Sequence, residues 1–342
     1  MTNFTASTIQ QIDPAVITCC NYHRDYFIRI QKVAGYFCTI YDHVLSIASE
    51  RLDKQGIPVK EARLLDFGCG LGLLGVYAKR NGWQQVSLMD INEHCTQNAS
   101  TLAKAWHVPD LRIQKGSEEA VAEFFKGVPL PHVVISLDVI EHVYDIRQML
   151  AHFKATMPEA TLYFTTGAIA ENPLRYRAIK KLQRTDEYDC TDELQTFSNN
   201  PFAGWSFRAM RRKIIQTADT KQCLSDSEID LLITHTRGQH QADILQSVNT
   251  YLQTGALPPL LAHPTNTCDP ISASWTERLL TVKEYHEIFS NCGYNLSVHA
   301  GAYNDITHTG IKKECLKLLN LLVKTFNLPQ YSAYLLLEAA PQ

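Results

Sequence analysis

The chain has 342 residues, 45% of them hydrophobic and 20% charged, with a formal net charge of -3. Such a chain is an ordinary globular protein of one large domain or two smaller ones, and its charge excludes a global attraction to nucleic acid. No apolar run approaches the roughly 20 residues that cross a bilayer, so no membrane partner is expected.

The first 20 residues are polar and read as ragged, and Met1-Thr2-Asn3-Phe4 does not open a secretory signal. Ten cysteines are scattered without a C-x-x-C pair, which reads as reduced thiols, no metal site and a cytoplasmic address. From Tyr26, the residues Ile30, Val33, Ala34, Phe37, Ile40, Tyr41, Val44, Leu45 and Ala48 recur at helical spacing, which predicts an amphipathic helix to about Leu52.

Leu64-Leu65 then reads as the end of a buried strand, and Asp66-Phe67-Gly68-Cys69-Gly70-Leu71-Gly72-Leu73-Leu74-Gly75 as a glycine turn opening a helix that Asn81-Gly82 stops. Strand, glycine turn and helix together offer bare N–H groups to a nucleoside-bearing ligand. Gly70-x-Gly72-x-x-Gly75 spells the dinucleotide fingerprint, with Asp90 at a suitable distance. Read from Asp66, the same letters are Asp66-x-Gly68-x-Gly70-x-Gly72, and at this point both ligands stay open.

A regular alternation follows. Strands are predicted at Gln85–Asp90, Leu111–Lys115, His132–Leu137 and Thr161–Thr166. Helices between them start at the caps Asn92, Ser117 and Asp145. Over residues 171–275 the alternation stops and helical patterns take over, with basic runs at 175–184 and 208–213 and an acidic run at Asp186–Glu193. Ser225-Asp226-Ser227-Glu228 opens one helix and Gly255 closes another. Thr281-Val282-Lys283-Glu284 is a capping box before a helix, followed by a strand at Tyr294–Ala300, a helix over Ile311–Phe326 and a last strand at Tyr331–Glu338. The expected fold is α/β, a doubly wound and mostly parallel seven-stranded sheet. Its expected parts are N-terminal helices over 1–58, a core over 59–170 and 276–342, and a helical insertion over 171–275.

The fourth strand separates the two ligands. Asp66-x-Gly68-x-Gly70-x-Gly72 together with Asp138-Val139-Ile140-Glu141-His142 resembles class I S-adenosyl-L-methionine (SAM)-dependent methyltransferases of the small-molecule type, with their D-x-x-E-H motif. The resemblance implies a SAM cofactor and a reversed last strand. It implies cofactor contacts at Asp66, Gly68, Gly70, Gly72, Asp90, Ile91, Ser117 and Asp138, with Ser117 standing where the family more often has aspartate. Glu141 and His142 would stand at the opening toward the acceptor. His142 is the best-placed base, with His235, His240, His263 and His299 as other histidine candidates, and Glu141 and His263 complete the expected catalytic set. Arg237 could pair with a carboxylate or phosphate. The expected activity is methyl transfer to the O, N or C atom of a small molecule, a sugar or specialised-metabolite intermediate, by an enzyme that could be a homodimer. An RNA methyltransferase, a non-catalytic SAM-binding partner protein and a nicotinamide-linked oxidoreductase are the alternatives.

Overall fold

A computed structural model describes residues 4–108, 110–189, 204–219 and 223–342. The chain divides into two compact units: 1–140 with 146–166 and 283–342, and 141–145 with 167–282.

The first unit begins with α1 (Ala6–Gln10), α2 (Asn21–Lys32) and α3 (Ala34–Lys54). From Phe4 on, the start is not ragged. Phe4, Ile9 and Ile17 are buried, and the Phe4 ring meets Trp106 at 5.1 Å and Tyr77 at 6.0 Å. Three apolar residues this far apart make no periodic pattern, yet each fills a separate gap. The single helix expected from Tyr26 is broken at Val33 (φ -122°, ψ 21°). Buried Phe27, Ile30, Ala34, Cys38 and Tyr41 keep a spacing of three or four across the break, so periodicity alone did not reveal it.

The rest of this unit follows as β1 (Arg63–Phe67), α4 (Leu73–Arg80), β2 (Gln85–Asp90), α5 (Glu93–Ala105), β3 (Arg112–Lys115), α6 (Val121–Phe124), β4 (Val133–Leu137), α7 (Ile146–Thr156) and β5 (Thr161–Thr166). The seven strands pair in the order β3-β2-β1-β4-β5-β7-β6. The first five are parallel, and β7, described below, runs antiparallel to both its neighbours. Leu64, Leu65, Val133, Val134 and Ile135 are at most 1% exposed, as a sheet covered on both faces requires. The strand order reverses between β1 and β4, and open sheets bind ligands at the carboxyl ends of such a pair. Asn92 caps α5 through His94 N–H at 2.9 Å as expected. Ser117 differs: it precedes a one-turn 3-10 helix, Glu118–Ala120, and makes no capping bond.

The second unit carries α8 (Pro173–Tyr188), α9 (Phe207–Ala218), α10 (Asp226–His235) and α11 (Gln241–Thr254). Ser225 and Glu228 form the capping box of α10, and Gly255 (φ +73°) ends α11. Ile214, Ile215, Ile229, Leu232, Ile233, Ile244 and Val248 make its core. The basic run on α9 is not one solvated face. Arg208 and Arg212 pair with Asp230, whereas Arg211 is 0% exposed and its Nη1 donates to Glu187 Oε2 at 3.1 Å. Residues 190–193 of the acidic run lie outside the described residues.

The chain returns to the first unit with α12 (Val282–Asn291), β6 (Tyr294–Ala300), α13 (Gly310–Thr325) and β7 (Leu335–Pro341). The last strand begins four residues later than expected, because Pro329–Tyr331 form a 3-10 turn ahead of it.

Candidate active site

Strands β1, β2 and β4 end side by side, and the chain leaves β1 through the glycine turn. Met89 O accepts from Gly68 N (2.8 Å) and Cys69 N (3.0 Å), which ties the turn to the end of β2. At Gly70 (φ +52°) no protein atom lies within 4 Å of where a Cβ would stand, so bare backbone borders open space. At Gly72 (φ +73°) a Cβ would meet Ala99 Cβ at 2.7 Å, so that side of the turn is closed by α5.

Asp90 holds the turn from the other side. Gly70 N donates to its Oδ2 and Asn92 N to its Oδ1, both at 2.8 Å. Each carboxylate oxygen keeps capacity for a further bond, so ribose hydroxyls can still be accepted. Ile91 beside it is 71% exposed, an apolar surface suited to a purine ring.

Asp66 is 2% exposed, and its Oδ2 accepts from Gly75 N at 3.0 Å in the first turn of α4. In a dinucleotide site the amides at this helix start serve the pyrophosphate. Here a carboxylate already occupies one of them. Burial pushes the Asp66 carboxyl up to about 7, against the Gly75 hydrogen bond and with help from the Asp90 charge. Burial also raises the Asp90 carboxyl. Among the described ion pairs none includes either acid. Two desolvated carboxylates around bare backbone suit a positively charged nucleoside and repel a pyrophosphate. The residues present therefore fit SAM, whose ammonium and sulfonium groups supply that charge.

Asp138 closes the crevice at the end of β4. Its backbone lies in the left-handed region (φ +53°), which is strained for a non-glycine residue. Asp138 N donates to Thr165 O at 3.1 Å, and Thr165 Oγ1 donates to Asp138 Oδ1 at 3.2 Å. Tyr26 of α2 responds to the same carboxylate: burial and then the Asp138 charge push its phenol up to about 12.

Glu141 and His142 belong to the second unit. Glu141 is 1% exposed, with its backbone O accepting from Arg278 N at 2.9 Å, so its carboxyl is interior. His142 is half-buried, and its Nδ1 is 2.8 Å from Trp275 O. A carbonyl can only accept, so Nδ1 carries a proton and Nε2 is the ring nitrogen left to act as a base. Around it stands a cluster that sequence reasoning missed. Tyr144 OH donates to Asp243 Oδ2, Asp243 Oδ2 also lies 2.9 Å from His240 Nδ1, and Trp275 Nε1 donates to Tyr144 O at 3.2 Å. Tyr144 stood two residues after His142 and could have been noticed. Asp243 and Trp275 come from distant segments and carried no signal.

The other histidines are placed differently. His235 Nδ1 lies 2.7 Å from Pro258 O, His299 Nε2 lies 2.9 Å from Glu338 Oε2 in the sheet unit, and His263 is half-buried before the buried turn Asn266–Pro270. Arg237 spends its Nε on Asn266 O (3.0 Å) and an Nη on Thr265 O (2.9 Å).

Residues 40–214 match a family model described as a methyltransferase domain. The match covers half of the chain, which belongs to this methyltransferase family. This methyltransferase domain has the Rossmann-like class I fold, and S-adenosyl-L-methionine is the donor its crevice fits. Two relatives are ribosomal protein L11 methyltransferases. One, from Bacteroides thetaiotaomicron, is 24% identical over 50% of this chain and 59% of its own length. The other, from Phocaeicola vulgatus, is 25% identical over 44% and 52%. The chain thus spans between half and three-fifths of the relatives it matches. A solved structure of magnesium protoporphyrin IX methyltransferase from Synechocystis, with bound SAH, aligns over 98% of this chain and 93% of that one at 11% identity and a TM-score of 0.41. No helix among the described residues is long and apolar enough to cross a membrane.

Proposed function

We propose that the enzyme methylates a small molecule, a sugar or specialised-metabolite intermediate, on O, N or C, and that the 171–275 segment selects it. When bound, SAM supplies an electrophilic methyl group. The protein's tasks are then to align an acceptor and to take its proton. Asp66, Gly68, Gly70, Gly72, Asp90, Ile91, Ser117 and Asp138 hold the cofactor. His142 takes the proton at Nε2, and Glu141, being interior, positions the backbone that carries it. His263 lies further along the same segment and orients the acceptor. The observation that carries this reading is the His142 Nδ1 contact to Trp275 O, which sets the tautomer a base needs. The scattered cysteines support a cytoplasmic address.

A second reading, a protein acceptor, is favoured by the names of the two L11 methyltransferase relatives. Transfer of labelled methyl from SAM into a size-fractionated cell extract separates the readings. Label in the small-molecule fraction is expected. Label confined to protein establishes the second reading, and label in RNA overturns both.

A further inference from the structure

In the second unit a cavity of about 420 Å³ is lined by Lys180, Arg184, Tyr188, Arg237 and Thr265. The first three are four residues apart on α8, so they share one helix face. Among the described residues, three of the five that line it are cations and none is an acid. Of two nearby acids, Glu187 is shared between Arg211 and the lining cation Arg237, while Asp186 is engaged away from the cavity. Glu187, 1% exposed, is bound by Arg211 Nη1 at 3.1 Å and Thr267 Oγ1 at 2.7 Å and lies 4.0 Å from Arg237 Nε, so two guanidiniums share its charge. Asp186 accepts from Thr276 Oγ1 at 2.6 Å.

Arg237 is held in place rather than free to swing. Two backbone carbonyls accept from it, and its guanidinium lies 5.9 Å from the centre of the Tyr188 ring. A guanidinium has five N–H donors, so others remain for a ligand. Thr265 Oγ1 is buried and has no hydrogen-bond partner among the described residues. A buried hydroxyl left this way is costly unless a ligand or water completes it. Converging positive charge, an anchored guanidinium and an orphaned hydroxyl each call for the same complement.

We propose that this cavity is an anion-binding site that takes the phosphate or carboxylate group of a small molecule. Lys180, Arg184 and the remaining donors of Arg237 meet the anionic oxygens, Thr265 donates its hydroxyl, and the Tyr188 ring covers the ligand's less polar part. The site stands on its own residues and does not depend on which atom the enzyme methylates.

The test is calorimetric titration of the full chain with tripolyphosphate and, separately, with citrate at constant ionic strength. Lys180→Met and Arg184→Met are combined in the comparison variant, because both side chains are exposed and neither supports the core. Binding of either probe is expected, weakened by about tenfold or more in the variant. S-adenosylhomocysteine affinity should stay within about twofold, which reports an intact fold. The stronger probe identifies phosphate or carboxylate as the group recognised. Binding of neither probe overturns the proposal, as does equal binding by variant and wild type. Tighter binding of a short single-stranded RNA with a steep salt dependence also overturns it, in favour of an open nucleic-acid surface.

Discussion

The backbone N–H of Gly75 donates to the Asp66 carboxylate at 3.0 Å, so the helix start that a dinucleotide would use is already filled by an acid of the protein itself. The chain therefore gives up one anion-binding amide and gains a buried negative charge beside the ligand crevice.

That charge makes stability and binding depend on pH. The Asp66 carboxyl titrates near 7 in the folded chain and near 3.9 when unfolded, so between those values the folded state holds a proton the unfolded state has lost. The stability of the cofactor-free protein should fall as pH rises from about 4 to about 7 and level off above that. Affinity for S-adenosylhomocysteine should rise through the same upper limb, as Asp66 ionises opposite the ligand's ammonium. In Asp66→Asn both trends should flatten and affinity should drop about tenfold or more. Denaturation and titration series from pH 5 to pH 8 read both, and an unchanged slope would remove Asp66 from the assignment.

Two glycines of the same turn should respond oppositely. Gly70→Ala places its methyl in open space, so it should cost only about 1 kcal/mol of left-handed strain yet cut cofactor affinity severely. Gly72→Ala drives a Cβ to 2.7 Å from Ala99 Cβ and 2.9 Å from Leu88 Cδ2, and should lose about 1–3 kcal/mol of stability through overpacking. Thermal melts with and without S-adenosylhomocysteine distinguish the two effects.

His142→Gln should lower turnover about 100-fold or more while leaving cofactor affinity near wild type. Stopped-flow transfer with saturating donor isolates that step. Asp243→Asn is the companion variant, since it loosens His240 and Tyr144 without touching the His142 contact to Trp275 O. Should Asp243→Asn cost more turnover than His142→Gln, the base is His240.

Removing Glu187 leaves Arg211 charged and buried. Glu187→Ala should cost the second unit about 3–5 kcal/mol, far more than Asp230→Ala at the exposed Arg208 and Arg212 pair, where about 0–1 kcal/mol is expected. Chemical denaturation followed by Trp275 fluorescence measures both.

Much of this molecule was readable in the letters because much of it is local. Strand alternation, the caps Asn92 and Ser225, and the stop at Gly255 depend on neighbours within a few residues. The same holds for the glycine turn between a strand and a helix. Failures occurred where a residue's partner lies far along the chain. Phe4 was read as part of a loose tail because Trp106 was out of view. Arg211 stood out only as one of a basic run, because its partner Glu187 lies 24 residues away. Ser117 was read as a helix cap, yet it makes no capping bond in the structure.

The amino-acid sequence by itself determined the order of strands and helices, the carboxylate-and-glycine turn and the histidine to examine. Periodicity, turn chemistry and motif spacing are written in nearest-neighbour terms. Only the tertiary structure decided the ionic character of the crevice, the tautomer of His142 and the gathering of three cations around one cavity. Burial and charge depend on which distant segments meet, and no stretch of sequence contains that information alone.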